Sequence, residues 1–369
     1  MKILAQHGWG PSNKISEGLN AEILDGVIFG AKDINHQKLI EMMDTLQSNH
    51  PNQDYLFDPQ FYAAMIADQS NARLGSLASD DPYTYFGARR RQDLERLQQV
   101  REDLTHVLEF QTSLPITHAI APNVVIRRSF DSIDSSIAKM FLRSAAEVWN
   151  DVGGETPVYA TLAISISALN DIAELQNFMQ EITELASPPD GFYLLLERPD
   201  SSNTAYLTEP DVLSRWMLLI RVLKVNGISV ICGYTNALAP YLAASGADSF
   251  AGGWTGTLKK FSLSRFEPSS GIKRRAAPRY FSNPLLKSIK AAELDNLREF
   301  HDVMNGLPTD SYYSFDEGSL PEPLGECLQN WEAVKTLAGH IQNDDPLIAL
   351  NQCRNLISQA TELYGEIQL

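Results

Sequence analysis

The sequence predicts an α/β fold, a (β/α)8 TIM-type barrel with a helical C-terminal extension. Three observations carry this. Short apolar runs alternate with longer helical patterns, as in βαβ units feeding a parallel sheet. Eight such runs occur before residue 253. The length of 369 residues suits one large barrel with an extension, or two ordinary domains. A doubly wound open sheet is the competing architecture.

The runs are KILAQ (2–6), GVIFG (26–30), DYLF (54–57), THAIA (117–121), VYATLAISI (158–166), GFYLLLE (191–197), SVICG (229–233) and DSFAG (248–252). Helical patterns separate most of them, at 36–48, 89–110, 134–149, 168–186 and 210–225. Asp134 and Asp171 stand just before periodic stretches and Pro210 near the start of another, as helix starts require. Asn226-Gly227 closes one helix. Between Asp58 and Thr117 the connection is long. Residues 67–115 read as an insertion in the barrel, polar as far as Gly87 and then helical behind Arg89-Arg90-Arg91, in the manner of a lid or binding loop. The expected organisation is a barrel over 1–290, with a basic arm at 256–290, and an acidic helical extension over 291–369. Helices are expected there at 291–304, 322–342 and 346–367.

A hydrophobic content of 44% is ordinary for a globular chain with a sizeable core. No apolar run reaches eighteen residues, so no membrane span is expected. The opening MKILAQHGWGPSN is too short and polar for a signal peptide. Cys232, Cys327 and Cys353 are widely spaced, which argues against a disulfide framework and a cysteine-rich zinc site. The expected compartment is the cytoplasm. No HExxH, GxSxG or P-loop sequence occurs, and no metal or cofactor is implied.

Charge is unevenly spread. The net formal charge is −16, yet residues 256–290 hold nine Lys/Arg and one acid, Glu267. The ordinary reason for such a local reversal is an anionic partner. Lys259, Lys260, Lys273, Arg274, Arg275 and Arg279 are the candidate phosphate or nucleic-acid contacts, with Tyr280 and Phe281 placed to stack on bases. The alternative is an intrachain role, because the segment downstream has three basic residues against fourteen acids. Arg89–Arg91 and Arg127-Arg128 each read as no more than a solvated face.

In a TIM barrel the chemistry sits at the C-terminal ends of the strands. That rule selects His7, Asp33, Asp58, Asn123, Glu197, Arg198, Asp200, Tyr234 and the Gly252-Gly253-Trp254 turn. Asp58 either points into the barrel mouth or caps the helix that follows Pro59. Glu197 leaves an almost wholly apolar strand, which favours partial desolvation and a raised pKa; Arg198 is placed to neutralise it. His7 is either a base or stacking partner or an ordinary loop histidine. Gly252, Gly253 and Gly256 let backbone approach a ligand closely, and this loop is where barrels commonly hold phosphate.

GADSF at 246–250, LFDPQF at 56–61 and SVICG at 229–233 together resemble the tRNA-guanine transglycosylases, a (β/α)8 family that exchanges a base in nucleic acid. The resemblance implies a base-recognition role for Asp58. That family's nucleophilic aspartate follows the phenylalanine, where this chain has Ala251, and its cysteine-rich zinc motif is absent here. Glu197 or Asp200 would then serve in glycosidic-bond chemistry.

Two functions follow as expectations. One is an enzyme acting on a base or N-glycosidic bond in nucleic acid or a nucleotide, with catalytic candidates Asp58, Glu197 and Asp200. The substrate would rest on His7, Arg198, Tyr234, Gly252, Gly253 and Trp254. The other is a catalytically silent barrel that binds nucleic acid, or binds a protein partner through the acidic C-terminal helices.

Overall fold

The computed structural model describes residues 1–10, 12–67, 72–78, 83–198, 207, 209–268, 276–313 and 320–368. The chain opens with β1 (Lys2–Gln6), α1 (Lys14–Asn20), β2 (Gly26–Gly30), α2 (His36–Asn49) and β3 (Asp54–Asp58). A 3-10 segment, Phe61–Ile66, leads into the insertion, which holds a second, Ala72–Ala78, then α3 (Arg91–Leu94) and α4 (Leu97–Thr112). Next come β4 (Ala119–Ala121), β5 (Val125–Ile126), α5 (Ile133–Asp151), β6 (Val158–Ser165), α6 (Ile172–Thr183) and β7 (Gly191–Glu197). Then α7 (Pro210–Val225), β8 (Ser229–Cys232), α8 (Ala239–Ser245) and β9 (Ser249–Gly252) complete the strand series. A hairpin, β10 (Arg279–Ser282) with β11 (Lys287–Lys290), leads to α9 (Ala291–Phe300), α10 (Pro323–Ile341) and α11 (Pro346–Gln368).

Parallel pairing runs β3-β2-β1-β9-β8-β7-β6-β4. A parallel bridge between Leu56 and His118 joins β3 to the start of β4 and closes the ring. The fold is therefore an α/β TIM-type barrel. Its strands are buried on both faces, as a sheet wrapped by helices requires. The fourth strand is interrupted. β4 and β5 both pair with β6, and between them the side chain of Asn123 replaces ladder bonds. Its Oδ1 accepts from Val124 N–H at 2.7 Å and its Nδ2 donates to the Thr161 carbonyl at 2.8 Å. Asn123 is thus a strand-spacing residue, fully buried, rather than a group facing the mouth.

Local chemistry explains where the expected helices shift. The pattern at 89–110 forms two helices, broken between Leu94 and Leu97. Asp134 does not cap α5; Ser132 does, accepting from Ser135 N–H at 3.3 Å. Asp171 caps α6 through Ala173 and Glu174 N–H, at 2.8 and 3.1 Å. Pro210 opens α7, and Gly227 follows it at φ +74°. The last part of the basic arm is the antiparallel hairpin β10–β11. Tyr280, Leu285 and Ile289 of that hairpin form a second small apolar cluster with Leu294, Val303 and Tyr313.

α10 packs on the barrel. It packs between α8 and α1, where the helix after the last barrel strand belongs. Trp331 is buried in the main core and its Nε1 donates to the Gly252 carbonyl at 2.9 Å. Lys335 reaches the other end of the barrel, pairing with Asp25 at 2.9 Å. Among the described residues no helix is long and apolar enough to cross a membrane.

Candidate active site

Asp58 is the last residue of β3, and its carboxyl is completely buried inside the C-terminal mouth. Oδ1 accepts the backbone N–H of Gln60 at 3.0 Å. Oδ2 accepts the Tyr62 hydroxyl at 2.9 Å and faces those of Tyr193 and Tyr234 at 3.3 Å each. One oxygen thus shapes the turn while the other gathers a tyrosine cage; the 3-10 segment Phe61–Ile66 itself starts at Gln60 without a side-chain cap, so Asp58 is not its cap. Gln60 takes φ +54°, a left-handed conformation that reverses the chain after Pro59. Its Nε2 donates to the Tyr234 oxygen at 2.8 Å, and its Oε1 accepts Lys32 N–H at 2.8 Å. Tyr193 also approaches Gln6 Oε1 at 3.3 Å.

Burial drives the Asp58 pKa from 3.8 up to about 6, while Gln60 N–H and the three tyrosines hold the rise in check. The hydroxyls of Tyr62, Tyr193 and Tyr234 are themselves raised, by burial first and by the Asp58 charge next. They stay protonated and donate. Asp58 alone in this cage changes charge near neutrality.

The loop after β9 roofs the cage. Phe261 packs edge-on to Tyr62 at 4.9 Å and tilted against Tyr234 at 5.5 Å, and Phe266 lies 5.8 Å from Tyr62. Arg265 descends from this roof, donates to Tyr234 at 3.2 Å and forms a buried ion pair with Asp33. The backbone N–H of Arg198 fixes Phe261 O at 3.0 Å. From the insertion, Arg73 donates to the carbonyls of Ser264 and Glu267 at 3.1 and 3.2 Å.

The other expected residues fall into place around this cage. Glu197 is half-buried at the end of β7, on the same strand face as Tyr193 by the two-residue repeat. Arg198 is buried, and burial lowers its pKa to about 10 against the pull of Glu209. Asp200 lies outside the described residues, as do Lys273, Arg274 and Arg275. His7 is buried against Phe29 and Trp254, with its Nδ1 lacking a hydrogen-bond partner. Burial lowers its pKa to about 4, so it is neutral.

Two of the three glycines in the turn serve close packing, while Gly256 stands in open space. A Cβ on Gly252 would lie 2.2 Å from the Thr235 carbonyl oxygen, and one on Gly253 2.6 Å from Gln6 O and from Leu258. Trp254 is half-buried, with Lys14 Nζ 5.7 Å from its ring. Lys259 is half-buried, its pKa lowered by burial while Cys327 and Glu326 of α10 oppose the shift. Lys260 is half-buried too. Arg279 is exposed, but its N–H donates to Glu326 at 3.1 Å and its guanidinium to Ser288 O at 3.1 Å. Lys259 and the backbone of Arg279 thus both lie near Glu326 of α10.

Sequence reasoning missed Gln6, Gln60, Tyr62, Tyr193, Lys32 and Arg265. Three had a signal. Gln60 and Tyr62 follow Asp58 in DPQFY, and Tyr193 precedes Glu197 by four residues on one strand face. Lys32, whose pKa burial lowers to about 8 with Arg265 and Arg73 acting in the same sense, had none.

No protein-family model matches the sequence, and no curated protein matches it. Among solved structures, the HpcH/HpaI aldolase from Desulfitobacterium hafniense DCB-2 shares 10% identity over 68% of this chain and 85% of its own, with a TM-score of 0.37. A glycoside hydrolase family 3 beta-N-acetylglucosaminidase from Paenibacillus sp. str. FPU-7 shares 12% identity over 72% of this chain, with a TM-score of 0.43. The present chain spans 56% of that hydrolase. Neither likeness bears on chemistry.

Proposed function

We propose that this barrel acts on a base or N-glycosidic bond in nucleic acid or a nucleotide, with Asp58 as the group that meets the base. The observation that carries this is the tyrosine-caged carboxyl at the mouth, with a pKa of about 6. Protonated, Asp58 offers an O–H to a ring nitrogen or carbonyl; ionised, it accepts from a ring or exocyclic N–H. A group balanced between the two forms is suited to transferring a proton to a leaving base. Glu197 is the carboxylate assigned to the sugar. It attacks the anomeric carbon, the bond from that carbon to the base nitrogen breaks, and the base leaves with the Asp58 proton. Water or a second base then displaces Glu197. Ala251 stands where the resembling family has its nucleophile, so the nucleophile has to come from another strand. The roof over Asp58 must open for a base to enter.

A second reading has its own support. Asp58 is wholly buried and all its neighbours are engaged, which also suits a silent barrel that binds nucleic acid or a partner protein. The deciding experiment incubates the protein with single-stranded RNA and DNA and a labelled free base, followed by nucleoside mass spectrometry. Base release or exchange that disappears in Asp58→Asn and Glu197→Gln, both folded, supports the enzyme. Turnover retained in both variants removes the assignment, and no turnover in the wild type favours the scaffold.

A further inference from the structure

The arginines that read as two unrelated solvated faces meet in space. Arg89, Arg90 and Arg91 of the insertion and Arg127 and Arg128 of the loop after β5 line one cavity of ≈ 590 Å³. That lies within the roughly 300–1,000 Å³ of small-molecule sites. The positive charge is only partly neutralised. Arg89 is held by Asp103 at 2.8 Å, and Arg91 stands 3.8 Å from Asp134. Among the described residues, the guanidinium groups of Arg90, Arg127 and Arg128 have no carboxylate within 4 Å. A folded chain that brings five guanidinium groups together with acids beside only two of them bears a repulsion that an anion relieves.

Two further features shape the ligand. The cavity floor includes the start of α5, a helix of 19 residues whose first N–H groups favour negative charge. Beside them Asp134 is buried, and its Oδ1 has no hydrogen-bond partner. That oxygen faces Arg91 only at 3.8 Å, beyond hydrogen-bond reach, so a ligand hydroxyl or amino group would supply its missing hydrogen bond. We propose that this cavity binds a nucleotide-sized phosphorylated ligand. Its phosphate lies on Arg90, Arg127 and Arg128, and a hydroxyl or amino donor meets Asp134. This inference goes beyond the Asp58 reading and does not need it. The two sites are nonetheless linked through the 3-10 segment Phe61–Ile66, which places Tyr62 in the cage and Met65 on the cavity wall.

The test is calorimetric titration at low salt with three probes: inorganic phosphate, a nucleoside monophosphate and a single-stranded decanucleotide. The Arg127→Ala/Arg128→Ala double variant changes solvent-reaching side chains away from the Asp58 cage. Thermal unfolding checks that it folds, and Arg354→Ala, exposed on α11, is the control for loss of a surface arginine elsewhere. Binding of at least one probe that weakens tenfold or more in the double variant, and less than twofold in the control, supports the site. The probe order identifies the source. A tighter monophosphate points to a free nucleotide and a tighter decanucleotide to a strand. In Asp134→Ala, the monophosphate should lose affinity relative to inorganic phosphate. No binding of any probe to the wild type, or equal loss in Arg354→Ala, overturns the proposal.

Discussion

Replacing Asp58 by Asn tests the cage without asking for a substrate. The folded carboxyl has a pKa of about 6 against 3.8 in the unfolded chain. A folded pKa raised above the unfolded value means that stability is fully present below 3.8 and is lost as pH climbs through 6. A shift of that size amounts to about 3 kcal/mol once both states are ionised, at about 1.4 kcal/mol per unit. About 2 kcal/mol of it falls between pH 4 and pH 8. The introduced amide would keep the acceptor toward Gln60 N–H and turn its NH2 toward the tyrosine oxygens, which accept as well as donate. The assay is urea unfolding of both proteins at intervals across that range. The variant should gain on the wild type by about 2 kcal/mol as pH rises, with the gain levelling off above neutrality. A flat difference would show that Asp58 is not raised, and a gain toward acid would show that it is depressed; either refutes the reasoning.

Tyr62→Phe removes the shortest hydroxyl contact to the ionised carboxylate, so the midpoint of the same titration should move above about 6; an unchanged midpoint counts against the cage. Arg265→Met leaves Asp33 buried without its partner and should cost about 3–5 kcal/mol, whereas Arg265→Met combined with Asp33→Asn should recover much of it in a double-mutant cycle. Gly252→Ala would drive a Cβ onto the Thr235 carbonyl and should cost about 1–3 kcal/mol by thermal unfolding. Gly256→Ala meets nothing within 4 Å and should stay within about 0.5 kcal/mol; equal effects would undo the packing account.

The barrel was legible because its strands are apolar runs of the right length between helical patterns. Three of them, at 2–6, 26–30 and 191–197, have the expected bounds to the residue. The fourth strand was harder, because Asn123 spends its side chain on the ladder and splits the run, an effect with no periodic signature. The β10–β11 hairpin was hidden by its turn. Leu286, not glycine or asparagine, takes φ +50° there. Asp58 was found by the strand-end rule, but its cage was not. Tyr62, Tyr193 and Tyr234 come from three separate elements, and only the closed ring brings their hydroxyls to one carboxylate. The arginine cavity was missed for a related reason. Each cluster is ordinary alone, and no local pattern reports that residues 89–91 and 127–128 share a wall.

The bond from Trp331 to Gly252 has a bearing on how the chain is made. β1 pairs with β2 on one side and with β9 on the other, so the β1–β9 seam cannot form until the last barrel strand has been translated. Gly252 then presents a carbonyl whose indole donor lies 79 residues further on. Until α10 emerges, the seam between the first and last strands lacks its covering helix and exposes apolar surface to other growing chains. Ribosome pausing before α10 has left the ribosome would lengthen that exposure, and release of α10 ends it.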